Sequence, residues 1–199
     1  MELMGAYEQS LDSSGRIVRS IRSHHLGRET ACEGWNVYDV LGHLIGTTLM
    51  YGAGGLSDGE KLESAEIGSD PGWTFALAAK TALDTFAAPG AMEQTFRTPA
   101  GEVPGSVALG LALTEAAVHG WDIATASGKS GTIDVEVAES LLAFHRSESA
   151  PEWRSGPGAL FGPQVPVGDD ASPSDRLVAF LGRRPKVVVP APGLPPSTR

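Results

Sequence analysis

The stretch NVYDVLGHLIGTTLMYG, residues 36–52, carries the strongest fold signal in this sequence. Asn36 is a residue type that caps helices, and Asp39 three positions later can return a hydrogen bond to the cap. A helix is therefore predicted to begin directly after Asn36. Apolar residues then occur on nearly every side of this helix. Because a helix that is apolar all round is typical of a protein core, the stretch predicts a buried central helix.

Helix signals also dominate the rest of the chain. Further helices are predicted over residues 4–25, 71–88, 104–127, 134–148 and 172–182. The pattern predicts an all-α fold, an up-down antiparallel four-helix bundle with one or two extra C-terminal helices. Residues 94–98 have some strand character, followed by a turn. Residues 1–184 are predicted to form a single domain, and the Pro-rich stretch 185–199 is predicted to be a disordered tail.

Composition narrows the class of protein. The chain has 199 residues, of which 41% are hydrophobic and 20% charged, as in a globular domain. Its formal net charge of -9 and its scattered basic residues argue against nucleic-acid binding. No stretch approaches the ~20 consecutive apolar residues that span a membrane, and the N-terminus has no apolar run typical of a signal peptide. We therefore expect a cytoplasmic protein with no nucleic-acid or membrane partner.

The helix predicted over residues 104–127 carries the candidate chemistry. Its ionisable side chains are Glu115, His119 and Asp122. On a helical wheel Glu115 and His119 lie about 40° apart, and Asp122 lies about 20° to the other side of Glu115. The three polar groups therefore share one stripe of an otherwise apolar helix. Because a buried carboxylate without a partner is costly, some group must compensate its charge.

A divalent metal ion is one such partner. Glu and His at positions i and i+4 present an oxygen and a nitrogen on one side of a helix, and a third ligand should come from a facing helix. His43 is that candidate, because it sits in an apolar stretch where packing does not favour histidine. The alternatives are a hydrogen-bonded core histidine at position 43 and an ordinary surface pair of Glu115 and His119. Asp122 either supports the metal site or bonds Trp121 or a loop amide.

The remaining reactive side chains give weaker signals. Cys32, the single cysteine, is interpreted as a structural thiol, with a nucleophile as the alternative. The other histidines, His24, His25 and His145, are interpreted as solvated, because they lie in a loop or on an outer helix.

Three segments of the chain resemble one family. ACEGWNVYDVLGHLIG, residues 31–46, is similar to the second-helix signature of the DinB-like metalloprotein superfamily. TPAGEVPGSVALGLALTEAAVHGWDIATASG, residues 98–128, resembles the fourth-helix signature of its actinobacterial branch, which includes mycothiol-dependent maleylpyruvate isomerase. LFGPQVPVGDDASPSDRLVAFLGRRP, residues 160–185, resembles the C-terminal segment of an uncharacterised metal-binding subgroup. The resemblance covers most of residues 28–185 and implies a DinB-like form of the four-helix bundle.

The resemblance also implies a metal site. The histidine of the family pattern D-x-L-x-H-L falls on His43, and the glutamate and histidine of the pattern E-x-x-x-H-x-W-D fall on Glu115 and His119. In the family these positions bind a divalent metal, usually zinc and sometimes nickel or another ion. Characterised members of the branch use the metal to hold mycothiol or a related thiol as a thiolate. A small-molecule substrate and a low-molecular-weight thiol are the implied partners. Helices this apolar are also compatible with a homodimer.

The family's isomerase carries a further C-terminal domain where this chain has a short helix and a tail, so isomerisation of maleylpyruvate is not expected. We expect instead a metal-dependent thiol S-transferase or isomerase-type enzyme, in which the thiolate attacks an electrophilic small molecule. One alternative is a non-catalytic metal-binding module for small-molecule sequestration or stress response. Another is a lyase or cyclase of secondary metabolism on the same fold.

Overall fold

Helices make up most of the computed structural model, which describes residues 2–58, 61–62, 64–149, 151–154 and 159–185. The helices are α1 Leu3–Ser20, α2 Ser23–Leu26, α3 Val37–Gly52, α4 Pro71–Ala87, α5 Gly105–Ala126, α6 Val135–Glu148 and α7 Pro173–Phe180, with a 3-10 turn at Pro151–Trp153. Strands β1 Thr95–Thr98 and β2 Gly101–Pro104 form an antiparallel hairpin. The predicted mostly helical fold is confirmed. Of the predicted tail, residues 186–199 lie outside the described residues.

Local capping explains where the central helix begins. The Asn36 side chain accepts a hydrogen bond from the Asp39 amide at 3.1 Å, and the Asp39 carboxylate accepts one from the Asn36 amide at 2.9 Å. This reciprocal pair satisfies two backbone groups that the start of a helix would otherwise leave unpaired. The predicted capping box is therefore confirmed. The predicted first helix is instead broken into α1 and α2 at residues 21–22.

Four long helices surround the main core. Helix α1 packs against α4 and α5, and α3 packs against the same two helices from the other side. Helix α6 lies against α5 and α1, and α7 packs on α6. One apolar cluster extends through these elements from Ala6 to Leu181. Within the described residues, no helix is long and apolar enough to cross a membrane.

The direction of α4 departs from the up-down antiparallel prediction. The Thr85 hydroxyl donates to the Gly52 carbonyl at 2.7 Å, and the ring centroids of Tyr51 and Phe86 lie 6.0 Å apart. The C-terminal ends of α3 and α4 therefore meet, so these neighbouring helices run parallel. The prediction is wrong for this pair because the connection over residues 53–70 is long enough to return along α3 before α4 begins.

The returning connection explains a glycine inside α3. The Ala65 amide donates to the Gly42 carbonyl at 2.9 Å, so the connection crosses the helix at this point. A Cβ on Gly42 would come within 2.8 Å of the Ala65 carbonyl oxygen. Glycine at this position therefore permits the close approach of two backbones. The crossing also brings Ile67 into the core, where it is 7% exposed.

Candidate metal centre

Helices α3 and α5 run antiparallel and bring the three predicted ligands together. His43 Nε2 lies 3.1 Å from Glu115 Oε2, and His119 Nε2 lies 3.1 Å from the same oxygen. The two imidazole rings are nearly perpendicular, with centroids 5.0 Å apart. The three donor atoms lie within 4.8 Å of one another. The i,i+4 spacing on α5 and a single histidine on the facing helix are therefore sufficient to assemble the cluster.

The charges of this cluster favour a positive charge next to Glu115. Burial raises the pKa of Glu115, but the His119 charge and hydrogen bonds from both imidazoles outweigh it and hold that pKa below its usual range. Burial lowers the pKa of His119, but the Glu115 carboxylate and the Asp122 hydrogen bond raise it well above the ordinary value. A proton on His119 therefore neutralises Glu115 when no metal is bound. A divalent metal would take over the same role, so the donor set fits a metal ion.

Asp122 orients His119 from the opposite side of the ring. His119 Nδ1 donates to Asp122 Oδ2 at 3.0 Å, which leaves Nε2 facing Glu115. The Asp122 side chain is fully buried, and its charge is compensated by Arg183, whose Nη2 lies 3.0 Å from Oδ2. Burial raises the pKa of Asp122, but the Arg183 charge outweighs burial and lowers it. A carboxylate on the outer nitrogen of a metal-binding histidine is a common arrangement in metal sites.

Sequence reasoning missed two members of this site. Cys32 Sγ donates to Asp122 Oδ2 at 3.2 Å and lies 3.9 Å from His119 Nδ1. Arg183 Nη2 donates to Cys32 Sγ at 3.3 Å. The interpretation of Cys32 as a structural thiol stays a prediction, but the sequence did not place this thiol beside Asp122 and His119. No spacing in the sequence links positions 32, 122 and 183, because three separate segments of the chain converge here.

Cys32, His119 and Asp122 form a second group whose ligand atoms are close enough to hold a metal. The Arg183 guanidinium already occupies the position beside Asp122 and Cys32. Its positive charge would repel a second cation there. Of the two groups, His43, Glu115 and His119 are therefore the better candidate ligands for a metal ion.

A cavity of about 960 Å³ opens beside the three donor atoms. This volume is at the upper end of the range typical of small-molecule sites. The three candidate ligands line this cavity together with Cys32 and Arg183. Apolar side chains form much of the remaining wall and include Met50, Leu62, Leu111, Val118, Leu160 and Phe161. The Trp35 ring packs edge-on against His43, with centroids 4.9 Å apart. The arrangement can hold a metal ion and a small organic molecule next to it.

The three histidines outside the cluster differ in their exposure to solvent. His24 is exposed, as predicted. His25 is 8% exposed, and its Nδ1 accepts a hydrogen bond from the Arg22 amide at 3.0 Å. His145 is 2% exposed, with Nε2 at 2.9 Å from the Thr114 hydroxyl. The prediction that His25 and His145 are solvated is wrong, because α2 turns back onto α3 and α7 covers the outer side of α6.

Comparisons with known proteins identify relatives of unknown activity. No family model matches the chain, and no solved structure matches it significantly. The chain is 36% identical over 186 residues to the uncharacterized protein MT0763 of Mycobacterium tuberculosis (strain CDC 1551 / Oshkosh). It is equally similar to the uncharacterized protein Rv0738 of strain ATCC 25618 / H37Rv, and each alignment covers 92% of this chain and 98% of the relative. The chain therefore belongs to the family of the uncharacterized mycobacterial proteins MT0763 and Rv0738.

Proposed function

We propose that the protein is a metal-dependent enzyme on a DinB-like bundle that uses a low-molecular-weight thiol, mycothiol or a relative, in S-transfer or isomerisation. One observation carries the proposal. Two imidazole nitrogens and a carboxylate oxygen from facing helices converge within 4.8 Å at the wall of a cavity of about 960 Å³. Three protein ligands leave a metal with an open coordination position, as catalytic sites do.

His43, Glu115 and His119 would hold the metal through Nε2, Oε2 and Nε2. Zinc suits two imidazoles and one carboxylate, and nickel accepts similar donors. A divalent metal bound there supplies a Lewis acid that ionises a thiol or water at neutral pH.

The chain's own residues prepare the site for this chemistry. Asp122 holds the proton of His119 on Nδ1, which keeps the Nε2 lone pair directed at the metal position. Arg183 neutralises Asp122, so that the buried carboxylate does not itself attract the cation. The apolar walls, including Leu111 and Val118, exclude water around the bound substrate and strengthen the electrostatic interactions of the site.

The metal is tested by elemental analysis of the purified protein after loading with zinc and gel filtration. One zinc per chain is expected for the native protein and for the exposed-residue controls His24→Ala and Glu139→Gln. His119→Ala and Glu115→Gln should bind zinc at least 100-fold more weakly, since losing a ligand exceeds the ~10- to 100-fold cost of losing its outer partner. Equal zinc affinity in all five proteins would refute the proposed metal site.

The thiol chemistry is tested with zinc-loaded protein, mycothiol and a panel of electrophiles that includes an epoxide, a maleyl compound and an alkyl halide. Formation of thiol adducts or double-bond isomers is expected, and His119→Ala should abolish it while His24→Ala should not. Zinc binding without turnover on any electrophile would refute the catalytic proposal and favour the sequestration alternative.

A further inference from the structure

Two glutamates and two arginines are among the described residues that line the cavity: Glu33, Glu115, Arg183 and Arg184. Glu115 is paired with His119 at 3.1 Å, and Arg183 is paired with Asp122 at 3.0 Å. Arg184 has no such counter-charge: within the described part of the chain its guanidinium takes part in no ion pair and no hydrogen bond. Its side chain is exposed, so this positive charge lies where the cavity meets solvent.

The turn after α7 fixes the position of the two arginines. Gly182 has a φ of +88°, and its amide donates to the Ala179 carbonyl at 3.1 Å. The Arg183 amide donates to the Val178 carbonyl at 2.9 Å, which completes a pattern that ends many helices at a glycine. The backbone of Gly162 packs on this turn, since a Cβ on Gly182 would lie 2.8 Å from the Gly162 Cα. The backbone that carries the arginines is therefore held by α7 and by the segment that faces it.

The charge of the cavity favours an anionic ligand. A divalent metal adds two positive charges and displaces the single proton that neutralises Glu115, so the loaded cavity gains one positive charge. This local gain occurs on a chain whose formal net charge is -9. The exposed Glu33 carboxylate only accepts hydrogen bonds. Arg184 is therefore the cation at the mouth of the cavity that an incoming anion can pair with.

We propose that Arg184 is a specificity-determining residue that binds an oxyanion of the substrate at the mouth of the cavity. The substrate class is a small, largely apolar organic anion, whose carboxylate or sulfonate faces Arg184 while its apolar part packs against side chains such as Leu160 and Phe161. The guanidinium suits this role, because its planar fork of N–H donors matches two oxygens of one carboxylate or sulfonate. The inference rests on the proposed function only for the reaction at the metal, because the contact between Arg184 and the anion does not require the metal.

The test compares two probes of similar shape and different charge, hexanesulfonate and the neutral hexyl methyl sulfone. Homologues with two carbons more and two carbons fewer cover the depth of the cavity. Calorimetric titration of the zinc-loaded and of the metal-free protein should show tighter binding of the sulfonate in both. Arg184→Gln should weaken sulfonate binding about three- to fivefold, the value of an ion pair that is partly exposed to water, and should leave sulfone binding unchanged.

Two controls separate a direct contact from the general charge of the protein. Arg184→Lys keeps the charge and should retain most of the preference for the sulfonate. Arg146→Gln removes an exposed arginine of α6 that does not line the cavity, and it should change neither affinity. The preference of the native protein should also shrink when the salt concentration rises from about 0.05 to about 0.5 M, because salt screens exposed charges.

The outcomes distinguish this inference from the proposed function. A preference for the sulfonate that is lost in Arg184→Gln and kept in Arg146→Gln supports the role of Arg184. The role is overturned if the native protein shows no such preference, if it binds neither probe at any chain length, or if both variants lose the preference equally. Failure to take up zinc refutes the proposed metal site alone, since the titrations of the metal-free protein still decide the role of Arg184.

Discussion

The pair of Asp122 and Arg183 provides the sharpest test of how the site is held together. Asp122→Asn keeps the size of the side chain but removes its charge. In the native protein this carboxylate accepts from His119 and Arg183 at 3.0 Å each and from Cys32 at 3.2 Å. The amide can satisfy only part of this set, because one of its two polar atoms is a donor. The substitution therefore leaves a nearly buried guanidinium without its counter-charge.

The magnitude follows from the burial of the pair. Asp122 is fully buried and the Arg183 side chain is 11% exposed. Breaking a buried ion pair by removing one partner costs about 3–5 kcal/mol. We expect about 3 kcal/mol for Asp122→Asn, since Arg183 keeps some access to water. Zinc affinity should fall by about 10- to 100-fold, because His119 loses the partner that sets its tautomer.

Two measurements check these values separately. Urea denaturation of the metal-free proteins gives the free energy of unfolding, and competition with a chelator gives the zinc affinity. Asp84→Asn, an exposed carboxylate paired with Lys80, is the matched control and should change stability by less than about 0.5 kcal/mol. Arg183→Met should destabilise the protein in the same way, and the double variant should lose less than the sum of the two single losses.

The reasoning is refuted if Asp122→Asn unfolds at the same urea concentration as the native protein and binds zinc equally well. Additive losses in the double variant would also contradict it, because they would show that Asp122 and Arg183 act independently.

Two further predictions concern the helices around the site. Burial, with a smaller contribution from the Arg154 charge, lowers the pKa of His145 from 6.5 to about 4. The unfolded chain therefore takes up this proton before the folded protein does as the pH falls. The free energy of unfolding should fall by up to about 3 kcal/mol between pH 6.5 and 4. Urea denaturation across this range should show a smaller decrease for His145→Gln than for the native protein. Gly110→Ala should cost about 1–3 kcal/mol, because its Cβ would overlap the Phe144 ring. Gly27→Ala, where a Cβ meets nothing within 4 Å, should leave the thermal midpoint nearly unchanged.

Much of the fold could be predicted because its signals are local. The capping box at Asn36 and Asp39 and the proline at position 71 act within one helical turn, so helix starts were readable from short stretches. The second strand of the hairpin was missed, because Gly101–Pro104 is short and ends in proline. The parallel course of α3 and α4 was also missed. It depends on where residues 53–70 cross α3, and no local pattern reports such a crossing.

The candidate ligands could be predicted from the sequence, because helix periodicity places Glu115 and His119 on one face and His43 stands out in an apolar helix. The residues that surround these ligands could not be predicted, because they come together only when the chain folds. Cys32 and Arg183 reach Asp122 from a loop and from the segment after α7, at sequence separations of 90 and 61 residues. Such contacts are set by how the helices pack, and packing depends on side-chain shapes summed over the whole core rather than on any repeated spacing along the chain.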